Sequence, residues 1–513
     1  MWDTVVIGSG IAGLTAAAAL ARRGQRVLVL EQHHTPGGLT QTFRRADWTF
    51  APGVHYLADV GAQPGPGGPF GRLLAWLGDG TLRFADSGNP YDVVRLPGFE
   101  FAIEHPEAAY RAALEARFPA QGPAIARWFD EMHAARKAAF TLFALRGLPP
   151  WLAWGLRLWR GAELDRMRQR TLAEALAEIP DARLRAVLGA RWGDHGAPPE
   201  TAPLVEHALI TGAYDAGSWY PVGGPARLAQ SLLPTVLAAG GQIELGASVE
   251  RITLTGGRAD GVVYRRNGTL HPAGARQLIS AMGVRNTVDC LDREVAPAWQ
   301  AEVRGFRPGL SYLSLFLGFE GDIAAAGASS ANVWVYESEA VGPFWRAPAD
   351  EDAPGLFVSF PSLKDPACAG QPTAEVVAFC DAEAFAPWLQ APGAAPADGD
   401  RPEDYLAFKA WVEERLLAQF LRHFPALAPL LRFHEMSTPV TQQHFVRTPG
   451  GATYGIEMDA ARLGSPALNV RSPVPGLLLA GQDVSGAGVP AAGMSGLLAA
   501  AALEPALLRQ LGG

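Results

Sequence analysis

The chain has 513 residues, 48% of them hydrophobic and 18% charged, enough to bury one large core or two interlocked ones and too apolar to remain disordered. Its formal net charge is −8 and it carries no long basic tract, so the electrostatic basis for nucleic-acid binding is missing. Three cysteines, Cys290, Cys368 and Cys380, form no C-x-x-C pair; neither a disulfide framework nor a thiolate metal site is expected, and a reducing cytoplasm fits.

The opening Met-Trp-Asp-Thr carries an acid where a signal peptide needs basic residues, and no segment reaches membrane-spanning length without charge. Export and transmembrane anchoring are therefore not expected, while contact with a membrane surface stays open. Residues 4–8 read as a short buried strand. Gly8-Ser9-Gly10-Ile11-Ala12-Gly13 then opens an Ala/Leu-rich helix that runs to about Arg23 and stops at Gly24. A second strand, Arg26 to Glu31, follows. Strand, glycine turn, helix, strand is the context that makes G-x-G-x-x-G a dinucleotide signature. Gly8 permits the tight turn, Gly10 lets backbone approach a pyrophosphate, and Gly13 allows close helix packing, with the helix amino terminus facing the phosphates. Glu31 ends the second strand, where a carboxylate accepts ribose hydroxyls and repels a 2′-phosphate. On these residues the ligand is FAD or NAD. His33-His34 reads as an exposed loop pair, and with no matching ligand spacing elsewhere no metal is expected.

A second glycine pair, Gly37-Gly38-Leu39-Thr40, lies just past the acid, and Gly53-Val54-His55-Tyr56 follows it. Gly/Pro-rich loops are expected near 61–71 and 391–402. Between residues 136 and 170, Phe140, Phe143, Trp151, Trp154 and Trp159 are interspersed with eight basic residues against only Glu163 and Asp165, and Pro149-Pro150 breaks the run in two. That pattern fits an interfacial helix on a membrane, or else amphipathic helices packed in a second domain with solvated arginines. Trp219 to Pro225 leads to a middle block in which residues 240–252 read as a loop and two β segments, closed by a Gly256-Gly257 turn. Gln277 to Gly283 reads as a further strand. Near the carboxyl end Gly476 to Asp483 reads as a buried strand ending in Gly481-Gln482-Asp483, and Gly488 to Gly496 leads into a small-residue helix suited to packing on a cofactor. No repeat of solenoid or propeller length is present.

These motifs, in this order, resemble the FAD-dependent phytoene desaturase, carotenoid isomerase and retinol saturase family, which lies within the amine-oxidase-like flavoproteins. The likeness rests on Gly8 to Gly13, Gly37-Gly38, Gly53 to Tyr56, Trp219 to Pro225, Tyr454 to Glu457 with Arg462-Leu463, and Arg471 to Asp483. It is thin over residues 85–200 and 320–430, where substrate would be read. Leu39-Thr40-Gln41-Thr42 also departs from the small, cysteine-rich residues that retinol saturases carry there. The resemblance implies an α/β fold, with a discontinuous Rossmann-type FAD domain (1–70, 222–295 and 440–513) and an inserted α+β substrate-binding domain (71–221 and 296–439). It implies noncovalent FAD contacts from Gly8, Gly10, Ile11, Ala12, Gly13, Glu31, Gln32, Gly37, Gly38, Leu39 and Thr40. Val249 would offer its backbone to the adenine, Gly481 and Asp483 would meet the phosphate and ribityl region, and Val489 and Ala492 would line the flavin. It also implies an apolar isoprenoid or polyene as substrate, desaturated, saturated or isomerised by chemistry at the flavin N5. His55 and Tyr56, following the flavin-side glycines, are candidates to donate a proton to an alkene carbon, the alternative being a turn histidine and a packed tyrosine. Rival functions are a flavin amine oxidase and, in a different class, a noncatalytic lipid-escort protein. The expected location is cytoplasmic, with peripheral contact to the inner face of a membrane.

Overall fold

Val5, Val6 and Ile7, and likewise Val27 to Leu30, are buried runs of branched apolar residues, the composition of strands covered on both faces. In the computed structural model, which describes residues 1–61, 67–148, 150–346, 352–390 and 401–511, they form the centre of a parallel sheet. Residues 62–66 and 391–400, most of the two expected Gly/Pro-rich loops, lie outside the described residues.

The parallel strands run in the order Gln242–Glu244, Val27–Leu30, Trp2–Ile7, the carboxyl-terminal half of Thr269–Ser280, and Leu477–Leu479. Ile7 pairs with Leu30 on one side and Ser280 on the other, while Ser280 pairs with Leu479, so all these strands end at one edge. Chain segments distant in sequence thereby meet along that edge. The other half of Thr269–Ser280 continues into an antiparallel meander with Ser248–Thr255 and Arg258–Arg266, which turn at Gly256-Gly257. The two β segments expected within residues 240–252 are both present, and they go to different partners: Gln242–Glu244 joins the parallel sheet beside Val27–Leu30, while Ser248–Thr255 runs into the Gly256-Gly257 turn.

The first helix, Ile11–Ala21, is buried along all eleven residues because it is sandwiched between the sheet and the helix Val489–Leu503. The two helices pack backbone to backbone: a Cβ on Gly496 would come within 2.1 Å of the Ala12 carbonyl oxygen. A second, mostly antiparallel sheet takes the order Leu431–Ser437, Ser311–Phe319, Thr373–Cys380, Gly355–Ser359, Asn332–Tyr336, Asp92–Leu96 and Phe99–Ile103. Every residue of Ser311–Phe319 is buried. Helices between Glu107 and Gly212 pack beside this sheet.

Three apolar clusters result, one around the parallel sheet, one joining the 107–212 helices to the second sheet, and one on that sheet's opposite face. The first takes in Leu73, Leu74 and Leu77, and also Trp299 and Val303, all of which the sequence division placed in the second domain. The helix Pro69–Leu77 packs on the cofactor side because its buried face meets the first helix and Ala226–Ala238.

Candidate functional site

At the carboxyl edge of the parallel sheet the first helix begins at Gly10 and the last long helix at Gly488, neither with a side-chain cap nor an acidic residue in its first turn. Uncapped first-turn N–H groups are donors waiting for an anion. A Cβ on Gly10 or on Gly481 would meet nothing within 4 Å, so both backbones border open space. Ser9, between the motif glycines, ties the edge together. Its N–H (2.8 Å) and Oγ (2.7 Å) donate to Glu31 Oε2, and its Oγ (3.2 Å) and carbonyl (3.1 Å) accept from the Gly37 N–H. Gly37 and Gly38 have φ of +116° and +57°, the left-handed region that side chains avoid, which lets the chain reverse against Gly10. The donors and open backbone of this edge fit a dinucleotide.

The predicted contact residues fall as follows. Ile11 and Ala12 are buried in the first turn of the first helix. Glu31 also accepts the His33 N–H at 2.8 Å, leaving carboxylate capacity for a ribose hydroxyl. Val249 lies beside a β-bulge, where the neighbouring Ala247 N–H donates to the Glu31 carbonyl at 2.8 Å. Gln32 turns its amide to the Phe445 carbonyl (2.6 Å), and Thr40 spends its hydroxyl on the Gly37 carbonyl (2.8 Å). Leu39 lies against Gly53. Val489 and Ala492 are half-buried in the first turn of their helix. Asp483 receives the Val284 and Ile456 N–H groups, each at 2.9 Å, so it clamps three chain segments together. The fully buried Arg462 works beside it, donating to the carbonyls of Ile456 and Gln482.

The segment carrying His55 and Tyr56 is gripped by the second sheet and the turn after Gly355–Ser359. Glu375, itself buried, accepts the Ala51 N–H (2.6 Å) and faces His55 Nδ1 (2.8 Å); Lys364 donates to the His55 carbonyl (3.0 Å), and Tyr312 donates to the Pro52 carbonyl (2.8 Å). Tyr56 donates to Asp194 (2.9 Å), and its phenol is pushed well above the usual range by burial and then by the Asp194 and Asp92 carboxylates. Tyr56 is thus a weaker proton donor than an exposed tyrosine, whereas His55 keeps Nε2 free of the glutamate.

Below Tyr56 sits a buried charge network that sequence reasoning missed. Arg191 pairs with Asp92 (3.2 Å) and Asp194 (3.1 Å), donates to the Tyr91 hydroxyl (3.0 Å) and lies 4.4 Å over the Tyr214 ring. Asp92 accepts from Asn332 (3.0 Å), whose own oxygen receives Lys364. Burial raises Asp92 to about 7 and lowers Lys364 to about 7. The members come from separate strands and helices, with no short motif to betray them. Glu206, also missed, is fully buried and pushed up to about 7 by burial; it accepts the Ala487 N–H (3.1 Å) in the loop before the last helix.

Arg191, Tyr91 and Tyr214 also border a cleft open to solvent and walled by Ile103, Tyr110, Trp128, Phe129 and Met132. From it a run of rings leads inward, Tyr91 to Tyr214 (5.5 Å), Tyr214 to Tyr56 (4.8 Å), Tyr56 to Phe357 (6.0 Å) and Phe357 to His55 (5.2 Å). His207, at the cleft wall, donates Nε2–H to the Leu188 carbonyl (3.2 Å) and faces His195 Nε2 through Nδ1 (3.3 Å). Burial holds His207 down to about 3 and His195 well below its ordinary value. Both bind protons more readily unfolded than folded, so the stability they confer is complete above pH 6.5 and is lost as pH falls below it, for His207 down to about 3. Each should add up to about 1.4 kcal/mol per pH unit to the acid slope of a urea-denaturation series. An unchanged slope in a His195→Phe/His207→Leu double variant would remove the pair as its cause.

Residues 6–65 match the family model of an NAD(P)-binding Rossmann-like domain. Over the whole chain the structure is similar to that of cyclohexylamine oxidase from Brevibacterium oxydans, with a TM-score of 0.61 at 18% identity, covering 98% of this chain and 99% of that one. At that identity the likeness is one of fold, and together with the glycine-lined edge it defines a Rossmann-type, dinucleotide-binding α/β fold. The chain is 31% identical to human all-trans-retinol 13,14-reductase, covering 98% of this chain and 85% of the human one, and 24% identical to the chloroplastic prolycopene isomerase of Arabidopsis thaliana, over 89% and 74%. It belongs to the all-trans-retinol 13,14-reductase family, and the noncatalytic escort reading falls away.

Proposed function

We propose that this protein is an FAD-dependent reductase that saturates one double bond of an apolar conjugated isoprenoid, binding FAD noncovalently along the glycine-lined edge. The first-turn N–H groups after Gly10 would hold the pyrophosphate, Glu31 the ribose, and the turn at Gly37-Gly38 with the helix start at Gly488 the flavin end. A bound flavin, once reduced by an external electron donor, would supply a hydride at N5, which no side chain can provide. The chain's own part is to seat the polyene along the ring-lined path from the cleft, exclude water, and deliver a proton to the carbon next to the one reduced.

The observation that carries this reading is the His55–Glu375 pair. A carboxylate on Nδ1 fixes the orientation of the imidazole and leaves Nε2 as the position from which a proton can be passed on. An oxidase or desaturase removes hydrogen and has less use for a positioned acid. The test is anaerobic mixing of the photoreduced holoenzyme with all-trans-retinol or an acyclic carotene, following polyene absorbance and product mass. A gain of two mass units is expected, with His55→Asn slowed on the order of 10²-fold or more and its flavin content unchanged. Glu375→Gln should slow less, because the amide can still meet Nδ1 and hold the ring. A product of unchanged mass but altered double-bond geometry would make the enzyme an isomerase, and a His55→Asn variant as fast as the parent would exclude this proton donor.

A further inference from the structure

We propose that the helix Pro150–Gln169, with Phe140 from the preceding helix, is a docking face for the surface of a bilayer containing anionic lipid. The helix is apolar on two sides. Its inner side, Ala153, Leu156, Leu164 and Met167, packs on the second apolar cluster. Its outer side is left open: Trp151 is 73% exposed, Trp154 66%, Leu158 68% and Trp159 81%, with Phe140 at 57%. At 100° per residue, Trp151, Gly155, Leu158 and Ala162 form one outward line, with Trp154 and Trp159 to either side. Tryptophan combines a large apolar body with a single N–H donor, which suits the boundary between headgroups and acyl chains.

The structure also revises the electrostatic half of the sequence pattern. Arg146 is buried, donating to the carbonyls of Leu468 and Arg462; Arg168 pairs with Asp165, and Arg170 with Glu131 and Glu178. Among the described side chains, what remains at the face is Lys137, Arg160 and Arg166 with two acids, Asp165 held by Arg168 and Glu163, whose carboxyl is lowered first by its hydrogen bond to Arg160 and also by the charges of Arg166 and Lys137. On a chain of net charge −8 this local cationic rim complements anionic headgroups. The same rim argues against self-association through this face, because a two-fold contact would bring like charges together. Apolar insertion then supplies most of the binding and the rim sets orientation. Phe140 stands one turn beyond Arg136, which borders the cleft and lies 5.8 Å over the Phe140 ring. A lipid-dissolved substrate would therefore enter next to the docked face, a consequence that rests on the reductase reading while the docking itself does not.

The test is flotation of the holoenzyme with phosphatidylcholine vesicles, with and without about 25% phosphatidylserine, at low and high salt. The parent should float with both, more strongly with phosphatidylserine, and retain most binding in high salt. Trp151→Ala/Trp154→Ala/Trp159→Ala should lower binding about tenfold or more, with thermal midpoint and flavin content unchanged. Lys137→Glu/Arg166→Glu should remove only the phosphatidylserine preference. Docking is overturned if the parent floats with neither vesicle, if the tryptophan variant floats like the parent, or if light scattering finds a dimer that this variant dissociates.

Discussion

Gly10→Ala should leave the apo fold intact and strip the protein of flavin. Gly10 has φ −59° and ψ 169°, a conformation open to any residue, and its Cβ would enter empty space. The added methyl is therefore tolerated by the chain and felt only by a ligand. Keeping a pyrophosphate from two charge-assisted backbone hydrogen bonds forfeits about 3–6 kcal/mol, roughly 10²- to 10⁴-fold in affinity. Gly13→Ala makes the contrast, since its Cβ would stand 2.0 Å from the Gly8 carbonyl oxygen and force the turn itself apart. That variant should lose thermal stability without ligand as well as flavin. Apo melting curves and flavin titrations of the two proteins check this. Equal loss of apo stability in both would mean that Gly10 serves packing rather than a cradle.

Arg191→Met is expected to be the most damaging single change outside the cofactor edge. It leaves Asp92 and Asp194 buried without their counter-charge, and breaking a buried pair in this way costs about 3–5 kcal/mol. Burial already raises both carboxyls. Without the guanidinium they should rise further, so the variant should be less destabilised at pH 5 than at pH 8. Adding Asp194→Asn should recover part of the loss by removing one of the stranded charges. Thermal midpoints of the single and double variants at the two pH values measure this. A single variant melting with the parent would show the network to be dispensable. Because Asp194 holds the Tyr56 hydroxyl and Tyr56 stacks on Phe357 beside His55, any folded fraction should also reduce its substrate poorly.

The cofactor edge was legible in the sequence because its chemistry depends on backbone. Where a phosphate must lie against N–H groups, only glycine serves, and glycines at fixed offsets after a strand stand out in any chain. Ser9 was hidden at a variable position of the same motif, although it is the residue that joins Glu31 to Gly37. The role drawn for Asp483 from resemblance alone took on a physical basis only when Val284 and Ile456 were found donating to it. Arginines counted as one basic stripe proved to be buried, paired or exposed according to what folded against them.

By itself the sequence determined the dinucleotide edge, the alternation that builds a parallel sheet, and the segment on which His55 lies, since each is written in local residue order. Only the tertiary structure decided that Glu375 orients His55, that Arg191 neutralises two aspartates, and that the tryptophans of residues 151–159 face outward. Those are meetings between residues up to 320 positions apart, and side-chain chemistry of that kind exists only once two sheets and a helical layer have closed on one another.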